Sequence, residues 1–213
     1  MRERSLQKNA RVGTMLEALR KLGCDPGPLD AFIQCASKQS HDGMAMTGGF
    51  ESAPGTPRVV MIQEHLPDQS VFDRTLVHEL IHAYDQCRAK VDWRNQRHIA
   101  CSEIRASNLS GECEFLQEFN RGRLGFLKQQ QTCVRRRAAL SVTLQGVPDN
   151  EARQTVDSVY SRCYNDTAPF PQYHNRPAIQ DLYSPSSLMT FGPFSSYSSS
   201  KSVFSNDKLS NEK

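Results

Sequence analysis

The sequence predicts an α+β fold that is mainly helical, with a small β-hairpin ahead of its longest helix and a disordered tail at its C-terminal end. Three observations carry that reading. Apolar residues return at three- and four-residue steps in successive segments before residue 163, the period of helices with one buried face. Two short runs, Gly48-Gly49-Phe50 and Arg58-Val59-Val60-Met61-Ile62, flank the breaker-rich stretch Ser52-Ala53-Pro54-Gly55-Thr56-Pro57, the pattern of two strands and a turn. Beyond Asn165, Pro169, Pro171 and Pro177 lead into a polar, Ser-rich run.

In chain order, residues 6–22 predict one helix through Val12, Met15, Leu16, Leu19 and Leu22, stopped by Gly23. Residues 24–43 contain Pro26, Gly27 and Pro28 and predict a loop with a short helical turn at Leu29-Asp30-Ala31-Phe32-Ile33. The hairpin follows. The next helix carries Phe72, Leu76, Leu80 and Ala83 on one stripe, with start signals in Pro67-Asp68 and in Ser70-x-x-Asp73. Val91-Asp92-Trp93 holds the only tryptophan, and residues 99–119 resume a helical pattern through Ile104, Leu109, Phe115 and Leu116, interrupted at Gly111. Residues 126–144 and 150–163 predict two further helices, the second starting near Pro148-Asp149-Asn150. From 184 to 213 the few aromatic residues bury too little surface to offset ordering entropy, which predicts disorder.

With 213 residues, the chain suits one domain, placed at 1–183, plus the tail at 184–213. A formal charge of +3 from 26 basic and 23 acidic residues gives no polyelectrolyte signal. Arg135-Arg136-Arg137 and the Arg121/Arg123 pair lack interleaved aromatics, so nucleic acid is not implied as a partner. No window reaches 18 apolar residues, so membrane attachment would be peripheral. Met1-Arg2-Glu3-Arg4-Ser5 leads into a charged segment without an apolar core, which predicts no secretory signal, and Glu3 and Glu17 argue against a matrix transit peptide. Seven scattered cysteines form no C-x-x-C knuckle; an oxidising compartment would make three bridges and leave one thiol, in a pairing that spacing does not reveal.

The chemistry lies in His78-Glu79-Leu80-Ile81-His82. On a helix the two imidazoles share a face one turn apart, and Glu79 stands beside the first. Neutral imidazoles suit Zn²⁺, and a carboxylate that is not a ligand can take a proton from the attacking water and pass it to the leaving amine. A solvated histidine pair is the plain alternative, but the motif lies within an amphipathic helix where buried imidazoles need partners. Catalytic zinc takes a third protein ligand. Glu103, on the next predicted helix, is the first choice, in the arrangement of a Glu-zincin; His98 and Asp85 are its rivals. Asp85, three residues after His82, is also placed to accept that histidine's other N–H, or to contact Arg88. A second oxyanion donor remains open between Tyr84 and His98, although Tyr84 suits the core better. One strand of the hairpin would offer its edge to an extended substrate, and the sequence does not choose which. The expected domain is therefore zincin-like, with Glu79 catalytic and His78, His82 and Glu103 holding Zn²⁺.

The segments His78-Glu79-Leu80-Ile81-His82-Ala83-Tyr84-Asp85-Gln86-Cys87-Arg88, Val91-Asp92-Trp93, Arg97-His98-Ile99-Ala100-Cys101-Ser102-Glu103-Ile104-Arg105-Ala106 and Asn108-Leu109-Ser110-Gly111-Glu112-Cys113 resemble the family of mitochondrial inner-membrane metalloproteases and ATP-synthase assembly factors. The resemblance covers roughly residues 20–180. It implies peripheral association with the inner membrane from the intermembrane space, where oxidative import would use the cysteines. It also implies a protein substrate, a membrane-sector subunit of the ATP synthase, whose presequence is removed and whose assembly is assisted independently of cleavage. His78, His82 and Glu79 carry over as ligands and catalytic glutamate. The family usually has further cysteines shortly after Cys35 and in the strand before the zinc helix, where this chain has Ser37-Lys38 and Val60-Met61-Ile62-Gln63; their joint absence implies one bridge fewer and a free thiol.

Overall fold

A computed structural model describes residues 1–37, 46–52, 57–114, 122 and 128–171. The expected tail and the domain boundary at 183 lie outside the described residues. So do Phe115 and Leu116, at the far end of the helical pattern after Ile99.

Among the described residues, the helices are α1 (Arg2–Lys8), α2 (Ala10–Lys21), α3 (Leu29–Phe32), α4 (Gln69–Ala89), α5 (Gln96–Leu109), α6 (Gln129–Leu144) and α7 (Asp149–Asn165), and the strands are β1 (Ile33–Ala36), β2 (Gly48–Glu51) and β3 (Arg58–Ile62). The α+β class, mainly helical, is the class observed. The helix expected over 6–22 is instead two, because the Asn9 side chain accepts from the N–H groups of Arg11 and Val12 and starts α2 afresh. Helix α4 opens on Asp68, whose carboxylate accepts from Val71 N–H at 2.8 Å. The Ser70-x-x-Asp73 pair forms no capping box: Asp73 binds Ser5 and Gln69, and Ser70 accepts from Arg74. Helix α5 starts at the Asn95 cap and stops at Ser110, where Gly111 takes φ +90° and turns the chain back.

The hairpin forms, with β2 antiparallel to β3 in the register Gly48↔Met61 to Glu51↔Arg58. A third strand, β1, pairs parallel to β3 in the segment expected to be loop. Only Ile33 of its four residues is fully buried, so the alternation that marks a half-buried strand is missing from the sequence. Strand order is β1-β3-β2, so among the described residues β1 and β2 are the edge strands, and β2 lies against α4. Gly48 permits that approach: a Cβ there would stand 2.8 Å from the Thr75 methyl and 3.0 Å from the Val60 carbonyl.

Two apolar clusters flank the α4–α5 pair. One gathers Met15, Leu19, Ile33, Met61, Leu76 and Ile81 from α2, the sheet and α4; the other gathers Ile104, Val134, Ala138, Val142 and Val156 from α5, α6 and α7. Disulfides Cys24–Cys87, Cys101–Cys163 and Cys113–Cys133 clamp these layers, leaving Cys35 as an exposed free thiol. No described helix is long and apolar enough to cross a membrane.

The segment after α7 is anchored by charge. Asp166 pairs with Arg88 and with Arg105, each at 2.7 Å, and Arg105 donates to the carbonyls of Asp166 and Ala168. Burial alone would raise the Asp166 carboxyl, but the two guanidiniums hold it below the ordinary carboxylate range. A depressed folded pKa means that this stabilisation is present above the ordinary value of 3.8 and disappears as pH falls through the folded value. Urea midpoints against pH should therefore show wild type and Asp166→Asn converging on the acid side and separating above pH 4; parallel curves would contradict the pairing. Removing the bridge that closes the longest loop of the second cluster, by Cys101→Ser with Cys163→Ser, should cost about 2–4 kcal/mol in denaturant unfolding.

Candidate metal centre

Helix α4 places His78 and His82 one turn apart with their rings 4.8 Å apart and nearly perpendicular. Helix α5 crosses behind them and delivers Glu103, whose Oε2 is 3.5 Å from His78 Nε2 and whose Oε1 is 3.5 Å from His82 Nε2. Donor atoms of these three residues lie within 4.8 Å of one another, in mostly buried surroundings. His98 is elsewhere: it is exposed, and its Nδ1 accepts from Asp92 N–H at 3.2 Å. Tyr84 packs in the core under the Arg88 guanidinium rather than facing the histidines.

Hydrogen bonds fix both imidazole tautomers. The Ser102 hydroxyl donates to Asp85 Oδ2 at 3.0 Å, so its oxygen accepts from His82 Nδ1–H at 2.8 Å. His78 Nδ1–H donates to Glu112 Oε1 at 3.0 Å. In the neutral form that a metal ligand needs, each ring would thereby turn its Nε2 lone pair toward Glu103. Asp85 thus reaches His82 only through Ser102, which corrects the direct contact expected from its position three residues after that histidine. Its carboxylate is committed to the buried Arg105, whose Nε lies 2.9 and 3.1 Å from its two oxygens, and to Arg88 at 3.2 Å.

Glu112 completes the far side. Gly111, in the left-handed region, turns it from the end of α5 toward His78, and Arg137 of α6 closes on its other oxygen at 2.5 Å. Burial works against ionisation of Glu112, yet His78 and Arg137 hold its carboxyl down at about 2. Burial likewise disfavours charge on His78, but Glu112 and Glu103 outweigh it and raise that imidazole well above its ordinary range. Desolvation dominates at His82 and lowers its pKa, favouring the neutral ring. Burial pushes the Glu79 carboxyl up to about 7, partly countered by His78 and by the nearby Phe50 N–H of β2. Glu103, despite burial, is held below the carboxylate range by both histidines.

These residues fit a cation. Oε2 of Glu103 is buried yet makes no hydrogen bond of good geometry, which leaves an acceptor without compensation. Donors around a tetrahedral zinc are spaced roughly 3.3 Å apart, close to the two His–Glu separations found here. Two nitrogen donors and one carboxylate are a zinc-type set.

Sequence patterns did not point to Ser102, Glu112 or Arg137, nor to Ser141, whose proximity lowers the Glu103 carboxyl. Glu112 follows a glycine break, where helical periodicity says nothing about direction. Ser102 adjoins Glu103, and only the crossing of α5 on α4 turns its hydroxyl to His82.

Such a cluster has the donor chemistry of a hydrolytic metal centre. The chain belongs to the Peptidase M76 family, whose profile matches residues 1–171. It is similar to the mitochondrial inner membrane protease ATP23 homolog of Danio rerio, 44% identical over 158 residues, 73% of this chain and 59% of that protein. The Homo sapiens homolog is 38% identical over 176 residues, covering 81% of this chain and 69% of that protein. The Xenopus laevis homolog is 41% identical over 158 residues, or 73% and 64% of the two chains. The chain thus spans well under the full length of these curated relatives. No solved structure matches it significantly.

Proposed function

We propose that this protein is a zinc-dependent endopeptidase of the HExxH type, with His78, His82 and Glu103 as metal ligands and Glu79 as the catalytic acid and base. The observation that carries the reading is the convergence of two Nε2 atoms on one buried carboxylate, with a second buried carboxylate beside them at a pKa of about 7. Zn²⁺ bound there supplies Lewis acidity that polarises a peptide carbonyl and acidifies water. Glu79 takes the proton of the attacking water and returns it to the leaving amine, and its burial favours holding that proton between the two transfers.

The edge of β2 suits the substrate backbone. Thr47 O accepts from Ile62 N–H, so alternation along the antiparallel pair turns the N–H and C=O of Gly48 and Phe50 away from β3. The Phe50 N–H lies near enough to Glu79 to lower its carboxyl, so this outward edge runs close to that carboxylate. An extended peptide pairing there would bring its carbonyl to the centre.

The names of the relatives support placement at the mitochondrial inner membrane. The resemblance in sequence extends the reading to peripheral attachment on the intermembrane-space side and to a membrane-sector subunit of the ATP synthase as substrate. In the alternative form of this reading the protein is an assembly chaperone for that subunit and its proteolytic activity is dispensable.

Glu79→Gln should retain zinc and fold while lowering peptide hydrolysis about 10²–10⁴-fold; undiminished turnover would refute the mechanism. If that variant still supports ATP-synthase assembly in cells, the chaperone form is the correct one. Metal analysis should find zinc lost from Glu103→Ala and kept by His98→Ala, and the reverse result would move the third ligand. Ser102→Ala should weaken zinc binding about 10–100-fold, measured by chelator competition, because His82 loses the partner that fixes its tautomer.

A further inference from the structure

The only tryptophan of the chain stands between the two elements that the proposed reaction uses. Trp93 lies in the turn joining α4 to α5; its ring meets His82 edge-on, with centroids 5.8 Å apart and planes at 84°, and lies 6.2 Å from the Phe50 ring on β2. The turn is well determined. Asn95 N–H donates to the Asp92 carbonyl at 3.0 Å, the Asp92 carboxylate accepts from Arg94 N–H at 3.0 Å, and Asp92 N–H is held by His98. The indole N–H is taken by Gln86 Oε1 at 2.6 Å. Both aromatic side chains remain partly exposed.

We infer that Trp93 and Phe50 form the specificity wall of the centre and select a substrate with a large apolar side chain beside the scissile bond. The inference rests on the metallopeptidase reading above. A peptide paired to the outward edge of β2, with its carbonyl at the His78–His82–Glu103 cluster, must cross the surface that joins Phe50 to His82, and that surface is the indole. Its one polar atom is already satisfied, so what it offers an incoming side chain is apolar area and a π face. A polar side chain would lose water there without gaining a partner. An acidic one would also enter the field of Glu79, Glu103 and Glu112, the carboxylates that surround the centre.

Acyl amino-acid hydroxamates test this directly, because the hydroxamate anchors on zinc and fixes where the side chain falls. The full chain carrying Glu79→Gln, loaded with Zn²⁺, is titrated with N-acetyl hydroxamates of Phe, Leu, Asn and Asp while the emission of Trp93, the sole indole, is recorded. Phe and Leu should bind at least about tenfold more tightly than Asn, which has the shape of Leu, and Asp should be weakest. The apolar ligands should also shift Trp93 emission. By calorimetry, Trp93→Ala should collapse the Leu-to-Asn ratio toward unity at unchanged zinc content, and Trp93→Phe should preserve it. Equal affinities for Leu and Asn with zinc bound, or an intact ratio in Trp93→Ala, would overturn the inference alone. A protein that holds no zinc would overturn the metal reading, and this inference with it.

Discussion

The buried pairing of Arg105 with Asp85 is the interaction on which the rest of the structure depends. Both side chains are almost inaccessible, at 1% and 4% exposure, and an isolated pair at that depth is at best neutral for stability. Here every valence has a use. Asp85 accepts from Arg105, Arg88 and Ser102, while Arg105 also holds Asp166 and the carbonyls of Asp166 and Ala168. One ion pair therefore sets the α4–α5 crossing, orients Ser102 against His82 and anchors the segment after α7. Packing and metal geometry share a single origin, so a change in one is felt in the other.

Much of this was legible in the sequence, and the exceptions share a cause. Helices α2, α4, α6 and α7 each carry a stripe of apolar residues at helical steps, and Gly111 marked the end of α5. The break at Asn9 and the strand β1 were hidden, since one depends on a side chain capping its own backbone and the other on pairing with a distant strand. The centre divides the same way. His78, Glu79 and His82 follow from spacing within one helix, and the meeting of Glu103 with them follows from packing of the next. Ser102, Glu112 and Arg137 gain their places from the angle at which α5 and α6 cross, a quantity with no local signature.

The disulfides reinforce this arrangement at the points where it matters for the site. Cys101 precedes Ser102, Cys113 follows Glu112, and Cys87 lies two residues beyond Asp85. Each bridge thus restrains the backbone beside a residue that orients a histidine. Cys113–Cys133 goes further, because it joins the loop of Glu112 to the helix that carries Arg137 and Ser141. Between β1 and β3 the chain relies on main-chain pairing, and Cys35 of β1 stays free.

The electrostatics explain how such a buried set of carboxylates remains tolerable. Without an ion, the charge of Glu112 is matched by Arg137 and by a proton that His78 holds unusually tightly, and Glu103 leans on both imidazoles. A cation at the convergence of the three donors would take over that role and displace the proton from His78, since a ligand nitrogen must be unprotonated. Glu103 would gain a partner for its orphaned oxygen in the same event. Glu79 stands apart, already high in pKa through burial. On the proposed reading the centre would thereby divide into groups whose charge balances an ion and one group free to carry a proton, which is the separation of duties that hydrolysis requires.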